Sequence, residues 1–240
     1  MRPAVGLDTE TMARLNTSVL VGGFHLVKDD ELLALPDSAA FRSHATRMIA
    51  ARDQARDLTG ECKGYIANLI CEPDELAERW DIAVELGVDG VLVAPFIQGI
   101  GVLSALARRR QLPLLSHNSF GDFFSRNPAW GISQAVLASW QESLGADWFV
   151  TSGAFCVDGS DGNLASEIHR RPGTSKSIMP IIQGGKHPDG LPAYRRAVGS
   201  DDYMMIVASW VDSHPDGLEA AARHFREAID RQPAPSEQPG

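Results

Sequence analysis

Apolar runs of five or six residues alternate with longer stretches of helical period along almost the whole chain, and this alternation limits the fold more than any other feature. The strand-like runs are Phe24–Lys28, Tyr65–Ile70, Gly90–Ala94, Leu112–His117, Trp148–Ser152, Ile178–Gln183 and Met204–Ala208. Between them lie helical stretches at Asp8–Leu20, Ala40–Thr59, Pro73–Leu86, Gly101–Arg110, Ile132–Leu144 and Asp216–Asp230. Repeated βα units of this kind build a parallel sheet covered by helices. Strands buried on both faces read as continuously apolar, as Ile178-Met179-Pro180-Ile181-Ile182 does.

Periodicity alone leaves a doubly wound sheet and a barrel both open. About seven strand–helix units in 240 residues favour an α/β fold of the (β/α)8 barrel type, whose usual size is roughly 250 residues. The eighth strand is not found. Met1–Gly6 is the only segment before the first helix and is interrupted by Pro3, so the first barrel strand is read as truncated or missing.

Composition narrows the partners. With 44% hydrophobic residues the chain can build one sizeable core, and its formal net charge of -9 repels both nucleic acid and anionic membranes. Cys62, Cys71 and Cys156 are widely spaced and show no C-x-x-C pattern, which argues against a disulfide framework or structural zinc and suits a reducing cytoplasm. No stretch approaches the roughly twenty apolar residues of a membrane span. The proline-rich segment 232–240 is read as a disordered tail beyond a single domain at 1–231.

The sharpest cluster is Lys28-Asp29-Asp30-Glu31 at the exit of the first strand-like run. Alternation places Lys28 and Asp30 on one side and Asp29 on the other. Three carboxylates beside one lysine are costly to crowd without a cation, and hard oxygen donors suit Mg2+. A lysine that reacts with CO2 adds a third oxygen ligand as its carbamate. Spacing alone leaves room for a solvated loop of local ion pairs.

The run Val21-Gly22-Gly23-Phe24-His25-Leu26-Val27-Lys28-Asp29-Asp30-Glu31 resembles the activation motif of the RuBisCO large chain, in which the lysine is carbamylated and the Asp and Glu bind Mg2+. Thr59-Gly60-Glu61-Cys62-Lys63-Gly64-Tyr65 with Asn68 is similar to the family's next strand, and the likeness extends from about Arg2 to Arg231. It implies metal ligands Lys28, Asp30 and Glu31, catalytic roles for Lys28 and His117, and substrate or phosphate contacts from Asn68, Asn118, Gln183, Gly184, Gly185 and Ser209.

Departures from the family pattern are equally informative. The Lys-Pro-Lys motif after the family's first strand corresponds to Arg2-Pro3-Ala4, and the phosphate-gripping arginine beside the strand-five histidine is replaced by Asn118. The strand-six histidine corresponds to Thr151, and the mobile-loop lysine falls near Asp158. A carboxylate there repels the carboxylate that fixation would create. Gly184 and Gly185 retain the anion-binding glycines with Lys186 beside them, but Ala208-Ser209-Trp210 replaces the second glycine run with side chains expected to fill that phosphate site. Trp210 and Asp212 are read as pocket-lining candidates, whereas His187 and His214 precede prolines and read as helix-start residues.

The resemblance therefore implies a divergent RuBisCO-like protein, not a ribulose-bisphosphate carboxylase. Its expected chemistry is Mg2+-assisted enediolate formation on a sugar-acid or ketose phosphate, with decarboxylation of an oxo-sugar-acid phosphate of the 3-oxo-isoapionate-4-phosphate type placed first. The alternatives are an isomerase of the methylthio-ketose phosphate salvage type, a different Mg2+ barrel of the aldolase or enolase type, and a non-catalytic fragment. Family members also carry an N-terminal domain not found in this sequence, so the expected partner is a second copy in a homodimer or a separate chain supplying that domain.

Overall fold

The computed structural model describes residues 6–125, 129–151 and 178–232. Of the segment Met1–Gly6, read above as a truncated or missing first strand, all but Gly6 lies outside these residues, as do Asp158, Cys156 and the segment beyond Gln232.

Seven strands form one sheet: β1 (Leu26–Lys28), β2 (Gly64–Asn68), β3 (Gly90–Val93), β4 (Leu114–Ser116), β5 (Trp148–Val150), β6 (Met179–Ile182) and β7 (Met204–Met205). Their spatial order is their sequence order, and every neighbouring pair is parallel. Parallel neighbours need crossovers; the described helices are α1 (Thr9–Val21) before β1, α2 (Ser38–Thr59) between β1 and β2, α3 (Leu76–Leu86) between β2 and β3, α4 (Pro95–Gln98) and α5 (Gly101–Ala107) between β3 and β4, α6 (Gly121–Ser125) and α7 (Gln134–Ser143) between β4 and β5, α8 (Leu191–Val198) between β6 and β7, and α9 (Ser209–Asp212) and α10 (Gly217–Asp230) after β7.

The strands are shorter than their apolar runs. Phe24 and His25 leave the sheet before β1, because Phe24 packs edge-on against Phe225 and His25 pairs with Arg226, both on α10. At the first helices, side-chain caps fix the start: Asp8 accepts from Thr11 N and Asp37 accepts from Ala40 N. Glu72-Pro73-Asp74 is not the first turn of a helix, contrary to the sequence reading; these residues form a preceding turn, and α3 begins at Leu76.

The sheet curls. Ile66, Leu92, Leu115, Val150 and Ile181, one from each of β2 to β6, meet in a buried cluster that Met204 of β7 and Ile206 just after it join. The alternate residues, among them Tyr65, Ala67, Val91, Val93, Leu114 and Phe149, pack outward against the helices in the main core. Burial on both faces explains the unbroken hydrophobicity of β2, β3 and β4.

Among the described residues the ladder runs from β1 to β7 without a β7–β1 pair, so the sheet is a curled, unclosed one. The helix layer nonetheless continues across this gap, because α1 packs against α10. Gly22 makes that possible: a Cβ there would fall 2.4 Å from the Glu219 carbonyl oxygen and 2.7 Å from Ala222 Cβ. No helix among the described residues is long and apolar enough to cross a membrane.

Candidate functional site

The carboxyl ends of β1, β2, β4, β6 and β7 surround a cavity of about 170 Å3. Its walls carry Lys28, Asp30, Glu31, Gln183 and Asp212 beside apolar groups from Leu26, Ile66, Leu115, Ile181, Met204 and Val207. In an α/β sheet this is the end at which chemistry collects.

Strand alternation sorts the charged run as its sequence indicates. Lys28, Asp30 and Glu31 line the cavity, while Asp29 turns toward the helix layer. Lys28 Nζ donates to Glu31 Oε2 and to the Asp29 carbonyl oxygen, each at 3.0 Å. From the top of β4, His117 brings its Nε2 within 3.4 Å of the same Glu31 oxygen, and its Nδ1 lies 2.8 Å from Ser119 Oγ. Burial pushes the Glu31 carboxyl upward, but the Lys28 ammonium and His117 outweigh it and bring the pKa down to about 2. Glu31 is therefore a carboxylate at any physiological pH.

Asp29 is buried, and its carboxylate is saturated by neighbours. Oδ1 lies 3.0 Å from His44 Nε2 on α2, and Oδ2 accepts from Tyr65 Oη at 2.6 Å and from Asn68 N at 3.1 Å. Burial raises its pKa, yet the bonds from His44, Tyr65 and Asn68 overcome this and hold it below the usual carboxylate range. Asn68 is buried at the end of β2, where its side chain donates to the carbonyls of Asp30 and Leu33 and accepts from Ile70 N. Its amide thus ties the acidic loop to β2.

The other expected residues are spread along the rim. Asn118 is buried beside His117, under Gly121, where any Cβ would collide with its side-chain oxygen. Phe120 between them adopts φ 66, an uncommon conformation for a bulky residue and a local strain next to the site. Gln183 lines the cavity and donates to the Thr151 carbonyl. Gly184 and Gly185 follow with φ 80 and 56, conformations that glycine adopts without a Cβ penalty. Thr151 is buried and donates to the Ile181 carbonyl.

Two expectations need correction. Trp210 does not fill the cavity; its indole packs outward against His187, His214, His224 and Phe225, so Val211 and Asp212 supply that wall instead. Ser209 is exposed at the start of α9 rather than among the cavity residues. Lys186 is buried with its ammonium 4.6 Å from the Tyr194 ring centre, a cation–π placement. His187 and His214 behave as helix-start residues: each Nδ1 accepts a backbone N–H two residues on, from Asp189 and Asp216.

As a donor set for Mg2+ the site offers two hard carboxylates, Asp30 and Glu31, with Lys28 bonded to Glu31. Among the described residues no three His, Cys, Asp or Glu side chains surround a common point, so a third protein oxygen, were one used, would be a carbamate on Lys28. The residues fit the metal on that condition. The set absent from the sequence reading is the clamp of His44 and Tyr65 on Asp29; the one available signal was a histidine on the apolar face of α2, among Phe41, Ala45 and Met48.

Residues 1–165 match the catalytic domain of the ribulose bisphosphate carboxylase large chain. The chain belongs to the RuBisCO large-chain family. It is 30% identical over 232 residues to a ribulose bisphosphate carboxylase-like protein of Chlorobaculum thiosulfatiphilum, covering 95% of this chain and 54% of that protein. It is also 30% identical over 252 residues to a ribulose bisphosphate carboxylase of Archaeoglobus fulgidus, covering 95% and 57%. The dimeric archaeal Rubisco of Hyperthermus butylicus superimposes with a TM-score of 0.84 at 28% identity, covering 96% of this chain and 58% of that one. The chain thus spans little more than half the length of the relatives it matches.

Proposed function

We propose that this chain provides the (β/α)8-type catalytic half of a RuBisCO-like, Mg2+-dependent enzyme that removes CO2 from an oxo-sugar-acid phosphate, of the 3-oxo-isoapionate-4-phosphate type. The observation that carries the reading is the convergence of Lys28 and His117 on one carboxylate oxygen of Glu31, with Asp30 lining the same cavity. Carbamylated Lys28, Asp30 and Glu31 would hold the ion. When bound, Mg2+ supplies stabilisation for negative charge developing on an oxygen next to the carbon that loses CO2.

The chain's own residues do the rest. His117, oriented by Ser119 and Glu31, is placed to hold or move a proton at Nε2. Backbone N–H groups of the Gly184-Gly185 bend suit one phosphate. Met204, Val207 and Val211 with the Asp212 carboxylate make a poor seat for a second, which argues against a bisphosphate and hence against ribulose-bisphosphate carboxylation. The same apolar wall favours, as a second reading, an isomerase acting on a methylthio-ketose phosphate.

The partner reading is a second copy of the chain or a separate chain carrying the N-terminal domain. Exposed Phe120, Phe123 and Trp130, packed on one another beside the His117 loop, offer the apolar surface such a contact would use. Calorimetry of Mg2+ binding with and without bicarbonate, on wild type and Lys28→Ala, tests the metal reading. Bicarbonate-dependent binding that vanishes in the variant is expected; no binding by folded wild type would remove the metal mechanism.

A further inference from the structure

The charged run holds a residue the proposed chemistry does not use. Asp29 lies between Lys28 and Asp30 yet points away from the cavity, into a pocket closed by α2 and β2. Both carboxylate oxygens are taken by groups from elements far away in sequence, His44 and Tyr65, and by the Asn68 backbone. His44 is anchored in turn, with its Nδ1 3.4 Å from Thr9 Oγ1 on α1. Meanwhile the Asp29 carbonyl oxygen faces the other way and accepts from Lys28 Nζ. One residue thus grips the helix layer with its side chain and the site lysine with its backbone.

Downstream the loop is tied a second time, by the Asn68 amide on the carbonyls of Asp30 and Leu33. Only the side chains of Lys28, Asp30 and Glu31 are left turned toward the cavity. A three-residue strand followed by a turn has little register of its own. Without the buried grip, rotation by one residue would exchange Asp29 for Asp30 at the cavity.

We propose that Asp29, held by Tyr65 and His44, is a positioning residue that fixes the orientation of Lys28, Asp30 and Glu31 for metal binding, and is not itself a ligand. The proposal rests on the Mg2+ reading above. Groups that orient metal ligands from behind typically alter affinity about 10- to 100-fold when removed.

The test compares Mg2+ affinity in bicarbonate buffer, by calorimetry, with thermal stability for three variants of the full chain. Tyr65→Phe removes one hydroxyl bond to Asp29 at nearly constant shape, and Asp29→Asn weakens the whole clamp. Arg52→Met is the control: Arg52 bonds Asp89 at 2.7 Å and the Gly87 carbonyl, bracing α2 against the β2 and β3 region without touching the acidic loop. Tyr65→Phe and Asp29→Asn are expected to lose about tenfold or more in Mg2+ affinity, and Arg52→Met to stay within about twofold of wild type while melting lower. If Asp29→Asn does not fold, Tyr65→Phe decides alone. Wild-type affinity in Tyr65→Phe, or a loss that merely follows melting temperature across the series, overturns the clamp and leaves the metal reading standing. Absence of binding by folded wild type overturns both.

Discussion

Glu31 and His117, 86 residues apart in the sequence, meet with Oε2 and Nε2 3.4 Å apart, and the same oxygen receives Lys28 at 3.0 Å. The carboxylate is shared between a lysine ammonium and an imidazole able to carry a proton. Its ionisation is the electrostatic centre of the site, and it has a measurable consequence for the metal-free protein.

The Glu31 carboxyl is depressed from 4.5 to about 2, so its contribution to stability is fully present above about pH 4.5 and is lost as pH falls toward about 2. The full contribution is on the order of 3 kcal/mol. Urea unfolding of wild type and Glu31→Gln without metal, at about pH 6 and about pH 3, should show wild type losing its advantage over the variant at the acid value. A stability difference that is the same at both would contradict the assignment.

Gly22→Ala should destabilise, although replacing glycine by alanine in a helical conformation normally stabilises. Gly22 has φ -65, so conformation is no obstacle; the obstacle is the Glu219 carbonyl and Ala222, 2.4 and 2.7 Å from the new Cβ. Pushing α1 off α10 costs about 1–3 kcal/mol, against a gain of about 0.4–1 kcal/mol from the unfolded chain. A melting temperature equal to or above wild type would show that the helices yield freely.

Leu115→Ala removes the β4 contribution to the inner cluster and should cost about 2–5 kcal/mol, measured by denaturant unfolding at constant slope. Because Leu115 also borders the cavity, the variant should enlarge it. A cost below about 1 kcal/mol would mean that the strands collapse inward to fill the space.

Asp37→Ala deletes the cap that receives Ala40 N at 2.7 Å and should lower stability by about 1 kcal/mol, or a melting shift of roughly 2–4 °C. Asp37→Ser, which keeps an acceptor, should recover most of it. Equal loss in both variants would assign the effect to charge instead.

Much of this was legible in the sequence for a physical reason. Strands covered on both faces leave continuous apolar runs, and period-two alternation alone separates Asp29 from Lys28 and Asp30. The family likeness carried the site residues further than spacing could. What stayed hidden depends on long-range packing. Phe24 and His25 look like strand, yet they leave it for Phe225 and Arg226 on α10. Trp210 looks like a pocket wall, but a ring of three histidines and Phe225 draws it outward. His44 and Tyr65 have no motif tying them to Asp29; only the folded chain brings them within reach.

The seam between α1 and α10 also bears on how the molecule comes into being. His25 and Arg226, paired beside it, are 201 positions apart, so this contact has to wait until both ends of that span have been made. α1 packs as well on α2 and β1, which are made long before α10. Each βα unit can dock on the one before it as synthesis proceeds, whereas this contact has to close a span of 201 positions.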